Sequence, residues 1–333
     1  MLDEIKKRVR AVTEADRKNL PTVSYSKLDN LKKCALSHKI KYVDGYYSHS
    51  PSLATEMGSI AHKVLELKGL CKINQESVNY EYLRAVMLNG YRSTDEKTQE
   101  ELLGVKELER KYFETYGIPD NKSGMTYGEK VDVFLKDVLP DRMEDTEWEV
   151  MATEQRFEFV FDDRVILRGF IDRVDEKVDE DDLTLRIVDY KSSKAVFPDT
   201  DIKTPLQHIT YDLACVFLYG VLPVDHIYDF VFINKQQTGA DGVCSKGYLK
   251  RGLKKLTDLL DKMQQLEESG EFPPSPSPLC YWCPYHTDSP NADPKYKGLC
   301  RYHSLWTPDN KNFKVLNEYH PGEIIKPRRI INF

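Results

Sequence analysis

The sequence has no apolar run approaching the roughly 18 residues that a membrane span requires. Its first residues, MLDEIKKRVRAVTEADRKN, lack the apolar stretch of a secretory leader. No membrane partner is expected, and residence inside a cell is: the cytoplasm, the nucleoid, or a host cell if the protein is viral. Cysteine is sparse, seven in 333 residues and an odd number, unlike a secreted disulfide framework. Basic charge is not in excess either. The 48 Lys and Arg face 54 Asp and Glu for a formal net charge of -6, so any phosphate-binding surface has to be local. No internal repeat is present. What remains is an ordinary globular composition, 40% hydrophobic and 31% charged, which excludes disorder and collagen-like repeats. The length suits roughly two domains, or one enlarged core with insertions.

After a charged leader, SYSKLDNLKKC from Ser24 predicts a short capped helix, and ATEMGSIAHKVLELKG from Ala54 a second, with His62 and Glu66 one turn apart. Residues 74–140, rich in Lys and Glu, suggest two or three amphipathic helices forming an insertion. From Trp148 the character changes. WEVMATEQRFEFVFDD, RVILRGFIDRVDE and LTLRIVDYKSS are β-branched and aromatic stretches separated by Asp clusters, as in consecutive antiparallel strands. TPLQHITYDLACVFLYG predicts a helix, HIYDFVFINK another strand, and Lys246 to Ser269 a charged helix stopped by Gly270 and FPPSPSP. The organisation expected is an N-terminal helical segment (1–53), an α/β core (54–245) and a C-terminal helix with a cysteine-bearing cap (246–333).

On the third of those strands Asp189 and Lys191 alternate onto one face. The preceding strand ends an apolar run at Ile171 and supplies Asp172, which a hairpin can bring beside Asp189. Two carboxylates so close repel each other and favour a divalent cation between them. Mg²⁺ suits carboxylate and water oxygens, and an added histidine extends tolerance to Mn²⁺. Such a cation polarises a phosphoryl oxygen and acidifies a water, with Lys191 placing that water or stabilising developing charge. This is the chemistry of phosphodiester hydrolysis.

The ordered joint occurrence resembles the PD-(D/E)XK nuclease superfamily, in its RecB-like and Cas4-like exonuclease branch. GSIAHKVLE resembles the branch's Gly-X-X-X-His helix, RGFIDRVD its Gly-X-Ile-Asp strand, IVDYKSS its Asp-X-Lys strand and QHITY its Gln-X-X-X-Tyr helix. The resemblance spans residues 58–211. It implies a restriction-endonuclease-like α/β fold, a mixed central sheet flanked by helices. It implies His62, Asp172, Asp189 and the Tyr190 carbonyl as metal ligands and Lys191 as the catalytic lysine. Gln207 and Tyr211 would hold Lys191 or contact DNA, and Glu154 would support the ligands from behind.

Cys280 and Cys283 form C-x2-C, Cys300 follows, and Cys34 lies far upstream. Four thiolates can hold a [4Fe-4S] cluster, and Cas4-like and AddB-like members place one cysteine before the core and three behind it. Cys280, Cys283, Cys300 and His303 also form C-x2-C-x16-C-x2-H, a zinc pattern. Cys71, Cys215 and Cys244 read as incidental thiols.

Lysines and arginines crowd Lys27 to Lys41, Lys246 to Lys255 and Lys326 to Arg329, as phosphate contacts or solubilising faces. Tyr281, Trp282 and Tyr285 suit either base stacking or packing around a metal. The function expected is a Mg²⁺- or Mn²⁺-dependent DNA exonuclease, acting on single strands or ends in recombination, repair or replication. The alternatives are a nucleic-acid- or partner-binding component of a helicase or recombination complex, and a structure-specific endonuclease.

Overall fold

The computed structural model describes residues 1–48, 53–89, 124, 127–145, 147–179, 182–193, 195–198, 206–238, 245–287, 289 and 292–300. The chain divides into two compact units, one of residues 1–22 and 51–250, the other of 23–50 and 251–333.

The larger unit opens with α1 (Leu2–Lys6), β1 (Val9–Arg10) and α2 (Glu14–Asn19), the last started by a Thr13–Asp16 capping box. The two-residue strand β2 (Thr22–Val23) follows at the unit boundary. Long strands β3 (Glu149–Phe161), β4 (Val165–Asp179) and β5 (Asp182–Lys191) form an antiparallel meander. A helix, Leu206–Tyr219, then crosses to β6 (Asp225–Phe230), which pairs parallel to β5, as a parallel neighbour reached by a crossover must. A 3-10 turn, Val231–Ile233, and Asn234 at φ 49° reverse the chain into β7 (Lys235–Thr238). The expected strand HIYDFVFINK therefore ends at Phe230, because the left-handed Asn234 closes a hairpin. The seven-stranded mixed sheet runs β1-β3-β4-β5-β6-β7, with β2 beside β4. This is the α/β architecture that the sequence predicts.

The smaller unit contains α3 (Tyr25–Lys33), started by Ser24, whose hydroxyl accepts from Lys27 N–H, and α4 (Ala35–His38). In the larger unit α5 (Leu53–Ile73) packs against α6 (Tyr80–Asn89), α7 (Tyr127–Val133) and the π-turn Phe134–Val138. Their apolar residues, among them Val64, Leu65, Met87, Phe134 and Leu139, join Val188 and Tyr190 of β5 in one core. Residues 90–123 of the expected insertion lie outside the described residues. Lys68, buried on α5, donates to the carbonyls of Leu139, Pro140 and Arg142 at 2.6, 2.8 and 2.6 Å, satisfying groups that a helix end leaves unpaired. The crossover helix is α8 (Leu206–Tyr219), and α9 (Lys246–Ser269) ends at Gly270, φ 71°.

Candidate active site

Four strands and two helices converge where β4 meets β5. The antiparallel register pairs Arg173 with Val188, so Asp172 and Asp189 face each other one step on. Their carboxyls are in hydrogen-bonding contact, and Tyr190 N–H donates to Asp172 Oδ2 at 2.8 Å. Burial and the Asp189 charge push the Asp172 carboxyl well above the usual range. Asp189 Oδ2 is 2.6 Å from Lys191 Nζ, which donates to Gln207 Oε1 at 3.1 Å, while Gln207 Nε2 donates to the Tyr211 hydroxyl at 2.7 Å. The i, i+4 spacing on α8 thus holds the lysine head from one side. From another, the Tyr228 ring of β6 lies 5.6 Å below the ammonium, stacked at 4.5 Å on His208, itself stacked at 4.1 Å on His226, whose Nε2 is 2.7 Å from Asp212 Oδ1.

His62 arrives from α5. The helix comes so close to the end of β5 that a Cβ on Gly58 would stand 2.8 Å from Ser192 Oγ. One turn later His62 meets the Tyr190 backbone, with Nδ1 3.7 Å from Asp172 Oδ2 and 4.0 Å from Glu154 Oε1. Burial lowers its pKa, opposed by the Asp189 charge, so the ring is neutral and able to ligate. Glu154 lies between the pairs Thr153–Arg173 and Gln155–Ile171, opposite Asp172, at φ 44°. Burial and the nearby Glu66 push its carboxyl up to about 7.

Donor atoms of His62, Glu154 and Asp172 all lie within 4.8 Å of one another, a spacing that one cation can bridge. Crowded carboxyls with raised pKa values beside a neutral imidazole fit a divalent ion, which would relieve the repulsion. Sequence reasoning set Glu154 behind the ligands; the geometry groups it with them, through a left-handed residue that no pattern in the sequence announces. It also passed over Tyr228, whose ring lies under the lysine ammonium.

A family model described as the PD-(D/E)XK nuclease superfamily matches residues 22–287. The chain belongs to that superfamily. In this PD-(D/E)XK protein the match covers all the residues just described. A 52-residue stretch is also 46% identical to one component of the ATP-dependent helicase/deoxyribonuclease of Streptococcus uberis. That stretch is 16% of this chain and 4% of the relative.

In the smaller unit of the PD-(D/E)XK chain, Cys34, Cys280, Cys283 and Cys300 line one cavity of about 170 Å³. Backbone N–H groups of Ser275 and Ser277 donate to the sulfurs of Cys34 and Cys280, each at 3.4 Å. Burial raises the Cys283 thiol to about 11. No three of these sulfurs lie within 4.8 Å of one another. His303 and Cys244 lie outside the described residues, as does the basic run Lys326 to Arg329. Tyr285 is buried, its hydroxyl donating to Tyr46 O, whereas Trp282 is exposed. None of the described helices is long and apolar enough to cross a membrane.

Proposed function

We propose that the protein is a Mg²⁺- or Mn²⁺-dependent DNA exonuclease. The observation that carries this reading is the convergence of His62, Glu154, Asp172 and Asp189 beside a Lys191 held by Gln207. His62, Asp172, Asp189 and the Tyr190 carbonyl would hold the cation, with Glu154 completing the set. The cation would supply Lewis-acid polarisation of the scissile phosphate and a water acidified for attack on phosphorus. Lys191 presents Nζ at the edge of this set, where it can steady the incoming water or the negative charge that grows on the phosphate oxygens. Gln207 and Tyr211 fix the direction of that ammonium, and Tyr228 closes the space beneath it.

The four-cysteine cavity supports a [4Fe-4S] cluster. Four cysteines around one cavity match the number of thiolates that such a cluster takes, and amide donors to sulfur suit an iron-sulfur centre. Its role would be to pin Cys34 to the segment 280–300 within the smaller unit. Iron and sulfide in brown, anaerobically purified protein support this reading; a colourless protein with stoichiometric zinc overturns it.

The short match to a helicase/deoxyribonuclease component favours a second element, work beside a helicase or recombination partner. The deciding experiment follows product lengths from end-labelled single-stranded and duplex linear DNA, beside a closed circle, with Mg²⁺ or Mn²⁺. Metal-dependent shortening of linear DNA alone supports the exonuclease, and the first label lost gives its polarity. Cutting of the circle makes it an endonuclease. Binding without cleavage of any substrate favours a binding component of a larger complex.

A further inference from the structure

Beneath the lysine, β6 and α8 interleave three flat rings. The parallel register sets Tyr228 beside Asp189 and Phe230 beside Lys191, and alternation along β6 puts His226, Tyr228 and Phe230 on one face. The His208 ring of α8, one residue after Gln207, enters between two of them. It stacks on His226 at 4.1 Å and 20° and on Tyr228 at 4.5 Å and 25°. All three rings are buried, and His226 is tied back to α8 through Nε2, 2.7 Å from Asp212 Oδ1.

His208 is anomalous for the bonds it does not make. Among the described residues neither ring nitrogen has a hydrogen-bond partner, although the side chain is fully buried. Buried polar atoms left unpaired cost free energy that an aliphatic residue would avoid. Burial pushes the ring well below its ordinary pKa, helped by His226 and the Lys191 charge, so it is neutral. What an imidazole offers here, and leucine does not, is a thin flat ring that stacks on both neighbours. Phe197 adds a second brace to Tyr228, meeting its ring edge-on at 5.0 Å and 88°. The Gln237 side chain holds Phe197 by its backbone, accepting from Phe197 N–H at 3.2 Å and donating to Phe197 O at 2.9 Å.

We propose that Tyr228 is a positioning residue for Lys191, and that His208, wedged between Tyr228 and His226, sets its ring at the right height beneath the ammonium. The ammonium lies 5.6 Å from the ring centroid, within cation–π reach. Its other partners are Asp189 and Gln207. Asp189 is also a ligand in the cation site proposed above, so its hold on the ammonium is shared, and Gln207 and Tyr228 hold it without competition. A displacement of about 1 Å in such a group is enough to slow a reaction. This deepens the nuclease reading and rests on it for the reaction that Lys191 serves.

The test has one readout without metal and one with it, both on the full-length protein. In EDTA, lysines carrying ¹³C-methyl groups are followed by NMR, with the Lys191 signal assigned from Lys191→Arg. The Tyr228 ring current should displace that signal upfield. Tyr228→Leu should abolish the displacement, His208→Leu should reduce it, and Tyr228→Phe, which keeps the ring face, should restore it. With Mn²⁺ and saturating single-stranded DNA, Tyr228→Leu should slow single-turnover cleavage about 2- to 30-fold, the range of one cation–π contact. DNA affinity should not change, and Tyr228→Phe should recover the rate. Circular dichroism checks folding, and if Tyr228→Leu does not fold, His208→Leu reads the same signal and rate. A Lys191 signal that no variant moves, or Tyr228→Phe as slow as Tyr228→Leu, overturns the proposal. A signal that moves as expected in a protein that never cuts overturns the nuclease reading alone. Cleavage by wild type with the Lys191 signal unmoved in Tyr228→Leu and His208→Leu overturns the positioning role alone.

Discussion

Tyr190 N–H donates a 2.8 Å hydrogen bond to Asp172 Oδ2. The peptide that follows Asp189 thereby fixes the carboxyl of the neighbouring strand, and two acidic groups are held face to face in a buried setting. Both Asp172 and Asp189 are more than 90% buried. Such a pair costs stability in the metal-free protein and is relieved when a cation takes the place of the shared proton.

The first prediction concerns that cost. The folded pKa of Asp172 lies above its unfolded value, so the folded state binds the extra proton and loses stability as pH rises through the interval between the two. In EDTA at pH 8, Asp172→Asn should raise Tm by a few degrees, roughly 2–4 °C for each kcal/mol relieved. The gap should shrink as pH falls toward 4, and added Mn²⁺ should stabilise wild type only. A lower Tm for Asp172→Asn at pH 8 contradicts the account.

Glu154 gives a second. With its carboxyl pushed up to about 7, the charged form prevails only above neutrality. Mn²⁺ affinity, read by calorimetry, should climb between pH 6 and 8 in wild type. Glu154→Gln should weaken binding at pH 8 by roughly 10- to 100-fold and flatten that climb. Equal affinities in the two proteins would put Glu154 outside the ligand set.

The chain Lys191, Gln207, Tyr211 makes a third. Removing the ammonium in Lys191→Ala should lower single-turnover cleavage by at least about 10²- to 10³-fold, the size of one lost charge-stabilising donor. Gln207→Ala should cost about tenfold through misdirection of that donor, and Tyr211→Phe less. DNA affinity and circular dichroism should not change. A Gln207→Ala enzyme of full speed would separate the glutamine from the lysine's work.

Packing supplies the fourth. A Cβ on Gly69 of α5 would collide with Thr153 Cγ2. Urea unfolding of Gly69→Ala should show a loss of about 1–3 kcal/mol. Thr153→Ser removes that methyl and, in the double variant, should restore most of the loss. Without such rescue, the close approach of helix and strand is not the reason for the glycine.

Much of this was legible in the sequence where one residue controls its own neighbourhood. Gly270 stops α9 at Ser269, Ser24 starts α3, and the three strands from Trp148 form the expected meander. Less was legible where distant residues decide. Strand β1 hides in the charged leader as two residues, yet it pairs with Val160 and Phe161, and Arg8 and Arg10 reach Asp162 and Asp163 across more than 150 residues. At the site, motifs marked Asp172, Asp189 and Lys191. The grouping of Glu154 with them depends on a backbone turn at φ 44°, and the Tyr228–His208–His226 stack on a parallel pairing, and neither leaves a periodic trace.

The most direct test of the central claim titrates Mn²⁺ into wild type and Asp172→Asn while reading single-turnover cleavage of single-stranded DNA. The account predicts a wild-type rate that saturates with metal and returns to zero with EDTA, and no cleavage by Asp172→Asn at any concentration. Cleavage by Asp172→Asn at the wild-type rate, or a wild-type rate indifferent to EDTA, would contradict it.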